Sequence, residues 1–259
     1  MKKKTLLLSA AALIFAVVLT FGTAVCIFAS EKTDMSQYPM IDTDRFNTFS
    51  DLDENSWYYD YVYEAYDYKL MDGTKWEEGD EWYRLVGTFL PDDFLTREQF
   101  CTIISRFDEK IFAPNSGSVN ESRFEDVDLT AWYEQGIRRC EYYGFVNGVS
   151  ENRFGIGQPI TREEVAVMMK RFIDLRHIDL DKAEIGGNAI KDKTDVSDWA
   201  VDAVAFMVDE GIMIGDENGY FKPKATITRA EIAATIARVY RRMKIDFKGL
   251  INSPRIRAV

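Results

Sequence analysis

The chain has 259 residues, is 46% hydrophobic, and carries 43 Asp and Glu against 32 Lys and Arg, for a formal net charge of -11. A chain of that length buries a sizeable core in one or two domains, and its charge argues against nucleic acid or an anionic membrane as a partner met through the overall field. Three cysteines are too few for a disulfide framework.

Lys2, Lys3 and Lys4 precede an uninterrupted apolar segment from Thr5 to Ala29, which reads as a signal peptide over residues 1–30, either cleaved or retained as an N-terminal anchor. Only a retained segment would give the protein a membrane contact. Gly22-x-Ala24 is a candidate cleavage site, and Cys26 lacks the preceding leucine of a lipidation site. Removing the three lysines takes the charge from -11 to -14, since residues 1–30 hold no acid. Residues 31–48 form a polar lead-in.

A first unit opens at Phe49-Ser50-Asp51, and the spacing predicts a helix from about Ser56-Trp57 with Trp57, Val62 and Ala65 on one buried face. The same columns hold Trp132, Ile137 and Cys140, and then Trp199, Val204 and Met207. In the second and third units this helix ends at Gly144 and Gly211, residues suited to a left-handed C′ position; Lys69 stands there in the first, which predicts a different helix end. A second glycine, Gly73, Gly148 or Gly215, lies sixteen residues after each tryptophan and opens a tight loop. Phe89, Phe154 and Phe221 follow. Seven residues beyond each phenylalanine comes a threonine, in Leu95-Thr96-Arg97-Glu98-Gln99, Ile160-Thr161-Arg162-Glu163-Glu164 and Ile227-Thr228-Arg229-Ala230-Glu231. These are capping boxes: the threonine hydroxyl accepts from the N–H three residues on, and the Glu or Gln side chain accepts from the threonine N–H. Each predicts a second helix with its apolar residues on one face, such as Ile232, Ile236, Val239, Tyr240 and Met243.

The motif set therefore repeats three times with a period of about 65 to 75 residues. The interval from glycine to phenylalanine is six residues in the second and third units and sixteen in the first, so the first carries a ten-residue insertion within 74–88, rich in aromatics and acids. The third unit lacks the opening aromatic, with Ile190-Lys191-Asp192 in place of Phe124-Glu125-Asp126. Linkers fall at 113–117 and 185–188. The expected division is 49–115, 116–178 and 179–244, then a basic tail over 245–259, with no appended catalytic or adhesive domain. Cys101 occupies the column of Ala166 and Ala233, and Cys140 that of Ala65 and Met207, so both read as small buried packing residues.

Phe-x-Asp, Trp, a glycine loop, Phe-x-Pro and Ile-Thr-Arg-x-Glu, in three copies from about Phe49 to Met243, resemble the S-layer homology module. The second copy departs with Phe154-Gly155-Ile156 in place of Phe-x-Pro. The resemblance implies a mainly α fold in which three tandem helix-loop-helix modules make a pseudo-threefold spindle around a central three-helix bundle. It further implies noncovalent attachment to the bacterial wall, by binding of a pyruvylated secondary cell-wall polysaccharide in grooves between modules, and an extracellular location in the cell wall or S-layer. The groove residues so implied are Arg97, Arg162, Arg229, Trp57, Trp132, Trp199, Gly73, Gly148 and Gly215.

The chemistry of those residue types suits that ligand. An arginine in the first turn of a helix joins the free N–H groups in receiving an anion, and its planar fork matches a carboxylate. A tryptophan offers a flat face to a sugar ring, although the helical spacing of these three suits the core as well. The arginines alternatively serve structural ion pairs. Lys69 and the insertion make units two and three the better expected binding units.

Three rival readings remain. His177 is the only histidine and no glycine-elbow serine accompanies it, so histidine-dependent catalysis lacks its parts; a glycosidase carboxylate pair is not singled out among 43 acids. Asp51-Leu52-Asp53 starts like a calcium loop, yet Ser56 and Val62 stand where glycine and a bidentate acid belong. A surface scaffold that binds another protein is the third. No cofactor, metal or catalytic residue is expected.

Overall fold

Each Thr-Arg box opens a helix, and the helices so started organise the rest. The computed structural model describes residues 47–78, 85–112, 121–183 and 189–243. The leader, nearly all of the lead-in, both linkers, the tip of the insertion and the basic tail lie outside the described residues.

The fold is mainly α. Its elements are β1 (Asn47–Phe49), α1 (Tyr59–Asp67), β2 (Lys75–Glu78), β3 (Leu85–Thr88), α2 (Arg97–Phe112), α3 (Glu134–Tyr142), α4 (Arg162–Leu175), two short 3-10 turns, α5 (Val201–Asp209) and α6 (Arg229–Arg242). The boxes at α4 and α6 are complete: Thr161 and Thr228 accept from Glu164 and Glu231 N–H, and each threonine N–H donates to that glutamate at 2.8 and 3.0 Å. At α2 only half forms. Thr96 N–H donates to Gln99 Oε1 at 3.0 Å, while Thr96 Oγ1 is buried with no hydrogen-bond partner among the described residues.

The tryptophans depart from the expected buried face. Val62, Ala65, Ile137, Cys140, Val204 and Met207 are buried, but Trp57, Trp132 and Trp199 are 58%, 64% and 59% exposed. Each helix starts two residues after its tryptophan, at Tyr59, Glu134 or Val201. The tryptophan thus sits in the turn before the helix, where helical spacing does not govern which way it faces.

Lys69 also corrects an expectation. Its φ is +58°, beside +75° at Gly144 and +60° at Gly211, and the helix end has one shape in all three units. The N–H groups of Leu70, Phe145 and Ile212 each donate at 2.9 Å to the carbonyl five residues back, on Ala65, Cys140 and Met207. That shared bond fixes a left-handed residue between, so the lysine accepts a cost of about 1–2 kcal/mol.

The helices pair across units. α1 packs on α6, α3 on α2 and α5 on α4. The first helix of each unit therefore takes the second helix of the preceding unit as its principal partner, and the first unit closes the circle onto the third. The second helices meet through Phe107, whose ring lies 5.2 Å from Phe172 and 5.9 Å from Tyr240. Beside this contact the apolar residue before each threonine completes a backbone ring: Ile160 N–H donates to Leu95, Leu95 to Ile227 and Ile227 to Ile160, at 3.0, 3.3 and 3.2 Å. All three side chains are fully buried, so their desolvated amides pair with one another rather than with water.

The insertion is a hairpin. β2 runs antiparallel to β3, and β3 lies parallel to β1, in the order β1-β3-β2. Thr74 N–H donates to Thr88 O at 2.8 Å, so the hairpin leaves and rejoins the unit at adjacent points. Trp76 secures it. Its ring lies 5.3 Å from Phe49 and 5.6 Å from Tyr66, over Gly87, where a Cβ would come within 2.7 Å of the indole.

Candidate functional site

The segments that open at Phe89, Phe154 and Phe221 are each held by an aspartate, of which only Asp51 is weighed above, as the start of a calcium loop. Asp51 accepts from the N–H groups of Phe89 and Leu90, Asp126 from Phe154, Gly155 and Ile156, and Asp192 from Phe221 and Lys222. Both carboxylate oxygens are used each time, which turns Phe-x-Asp into a fastener for the Phe-x-Pro segment. Burial opposes ionisation of Asp126, but its backbone donors outweigh that and hold the carboxyl below the usual range. The signal available in the sequence is the repeated aspartate, two residues after Phe49, Phe124 and Ile190.

Gly148 is required by crowding: a Cβ there would fall 2.2 Å from Arg153 O and 2.5 Å from Phe124. At Gly73 it would meet Phe49 and Trp76 at 2.8 Å. In both loops the missing side chain admits a neighbouring part of the same unit.

The three arginines cross from one unit into the next. Arg97 Nε donates to Phe154 O at 3.1 Å, Nη2 to Asn147 O at 3.0 Å and Nη1 to Glu164 at 2.6 Å. Arg162 repeats this with Phe221 O at 2.7 Å, Ile214 O at 2.9 Å and Glu231 at 2.6 Å. Arg229 reaches Phe89 O at 2.6 Å and Asp72 O at 2.8 Å. It has no ion pair among the described residues, because Gln99 occupies the glutamate column. Each guanidinium also lies 4.6–5.3 Å from the ring of that same phenylalanine. Arg97 and Arg162 are buried and Arg229 is half-buried. Burial draws Arg162 and Arg229 below the usual arginine range against the pull of nearby acids: Glu231, Asp192 and Asp216 for the first, Asp93, Asp51 and Asp72 for the second.

A groove of about 710 Å³ lies over the second of these crossings. Trp57 from the first unit, Arg162 from the second and Gly215 from the third all line it. The structure thus gathers one tryptophan, one arginine and one glycine of the expected set, each from a different unit. Tyr220, Lys222 and Arg238 add an aromatic ring and two cations. Lys222 pairs with Asp216 at 2.9 Å, and Arg238 donates to Ile212 O at 3.1 Å. These three were not anticipated; Lys222, between Phe221 and Pro223, carried the only sequence signal. The other expected residues lie elsewhere: Arg97 and Arg229 at the other two crossings, Gly73 and Gly148 in the loops those arginines bond, and Trp132 and Trp199 exposed ahead of α3 and α5.

The sequence profile of the S-layer homology domain matches residues 48–75, 123–166 and 189–233. Its first match stops where the hairpin begins. Among similar proteins, an endoglucanase of Bacillus sp. (strain KSM-635) is 28% identical over 192 residues, which is 73% of this chain and 18% of that protein. The Surface-layer 125 kDa protein of Lysinibacillus sphaericus is 29% identical over 155 residues, 59% of this chain and 12% of that protein. The cellulosome-anchoring protein of Acetivibrio thermocellus is 28% identical over 157 residues, 59% of this chain and 33% of that protein. The chain spans a third or less of each of these relatives.

Proposed function

The chain carries three tandem S-layer homology modules, and from that premise we propose that it attaches noncovalently to the bacterial cell wall by binding an acidic secondary polysaccharide, pyruvylated on its sugars, in grooves between modules. Its place is the bacterial cell surface. The similarity to an endoglucanase covers 18% of that enzyme, so the shared part is the anchoring region rather than a catalytic one.

The observation that carries this reading is the groove to which all three modules contribute. Trp57 presents an exposed face for a sugar ring. Arg162, Lys222 and Arg238 stand in the lining beside an equal number of acids, Asp216, Glu217 and Glu231, so an anionic ligand is received by individual donors at short range and not by an excess of positive charge. A ketal-linked pyruvate supplies a carboxylate of the kind that guanidinium and ammonium groups receive. Arg97, Arg229, Trp132, Trp199, Gly73 and Gly148 form the equivalent sites by repetition of the motif.

The test is retention of the purified chain on three wall preparations: native, stripped of secondary polymer, and lacking pyruvyl groups. Strong retention on native walls and weak retention on both others is the expected outcome. Equal retention on all three would overturn the reading.

A further inference from the structure

Cys101 on α2 and Cys140 on α3 lie against each other where the first two modules meet. The Cys140 thiol donates to Cys101 O at 3.4 Å, and both side chains are fully buried. The repeat explains the encounter. Cys101 stands in the column of Ala166 and Ala233, and Cys140 in that of Ala65 and Met207; α3 packs on α2 as α5 does on α4 and α1 on α6. The same two columns therefore come together at every junction, filled by Ala166 with Met207 at the second and by Ala233 with Ala65 at the third. At the first junction alone, both positions carry sulfur.

We propose that Cys101 and Cys140 form a disulfide when the protein folds outside the cytoplasm, joining the first module covalently to the second. The Cys140 thiol, free in this structure as is that of Cys101, meets both the carbonyl and the side chain of Cys101, so the two sulfurs are neighbours, and a cell-surface location is one where disulfides persist. In the step, the two thiols lose two protons and two electrons as one S–S bond forms. The electrons pass to an external disulfide, of a thiol oxidoreductase or a small oxidised thiol, whose own S–S bond breaks to give two thiols. Burial, and then Cys101 itself, raise the Cys140 thiol well above its ordinary range. The closed fold accordingly reacts slowly, and the bond forms during folding, before the two sulfurs are covered.

Its consequence is a junction that does not open separately. The bond bridges the linker between the first two modules and holds the α2–α3 contact through any opening of the rest.

The test refolds the full chain from denaturant in a glutathione redox buffer, alkylates remaining thiols, and maps the non-reduced digest. The expected map shows the peptides of Cys101 and Cys140 joined, with the product lighter by two hydrogens. The urea midpoint of the oxidised protein should exceed that of the reduced one, a difference that disappears in C101A/C140A, whose alanines already occur in these columns. Alkylation of both thiols after oxidative refolding, or Cys26 joined to either, overturns the proposal. So does an equal midpoint for the oxidised and reduced forms. Thiol state is read on the chain itself, so failure here is independent of wall binding.

Discussion

The three junctions share one plan and differ in what fills it. At the first, Arg97 meets Glu164, Glu98 accepts from Gly157 N–H at 3.0 Å, and the fully buried Asp108 takes bonds from both Arg139 and Arg176. At the second, Arg162 meets Glu231, and Glu163 accepts from Ser197 N–H at 3.0 Å and from Lys224 at 2.6 Å. The third, which closes the circle, has Gln99 and Ala230 in the two acidic columns. It relies on aromatic packing instead: Tyr68 stacks on Tyr240 at 3.9 Å, Arg238 and Arg241 lie over Tyr61, and Arg241 pairs with Glu64. The backbone bonds of the arginine fork survive in all three, so those define the plan. The ion pairs of the two acidic columns are additions that the third junction lacks, having Arg241–Glu64 elsewhere on its helices.

If that division is right, substitutions should rank by how deeply each added charge is buried. Asp108→Ala leaves Arg139 and Arg176 without their shared carboxylate inside the first junction, and a loss of about 3–5 kcal/mol is expected in urea unfolding. A loss under about 1 kcal/mol would show that the two guanidinium groups regain water there. Glu231→Gln converts the second junction toward the third and should cost about 1–2 kcal/mol, since a charged hydrogen bond is lost at a partly exposed site. The reverse change, Gln99→Glu, gives Arg229 a carboxylate and should stabilise by less than about 1 kcal/mol; destabilisation would mean that Asp93, Asp51 and Asp72 already satisfy it. The loop fasteners add a dependence on pH. Asp126 has a lowered folded pKa, so its contribution is full above the ordinary carboxylate value and fades as pH falls through the lowered one. Asp126→Asn should flatten the acid side of the stability curve, and an unchanged profile would exclude that role.

Much of this was legible before any coordinates. The three boxes predicted α2, α4 and α6 to within a residue, because a cap is a local device whose parts are all in sequence. Gly144 and Gly211 marked true helix ends for the same reason. Which helix packs on which was not legible: apolar periodicity gives a buried face but not the neighbour that covers it. The exchange between modules is therefore a finding of the structure. Trp57, Trp132 and Trp199 precede their helices by two residues, so the helical spacing that predicts a buried face does not reach them. Lys69 keeps the left-handed conformation because the local capping bond from Leu70 N–H to Ala65 O outweighs the lysine's own backbone preference. The pairing of Arg97 and Arg162 with glutamates of the next module depends on that same exchange, and so lay beyond a single sequence.

The groove gives the smallest expected effect on stability and the most direct test of function. Trp57 is largely exposed and lines it, so Trp57→Ala removes a ligand surface without opening the core. Its sedimentation with native walls, measured beside the unmodified chain, should show affinity reduced by roughly two- to tenfold, as expected for loss of an aromatic contact of about 0.5–1.5 kcal/mol, with the urea midpoint unchanged. Undiminished binding by that variant would contradict the claim that a wall polymer lies where the three modules meet.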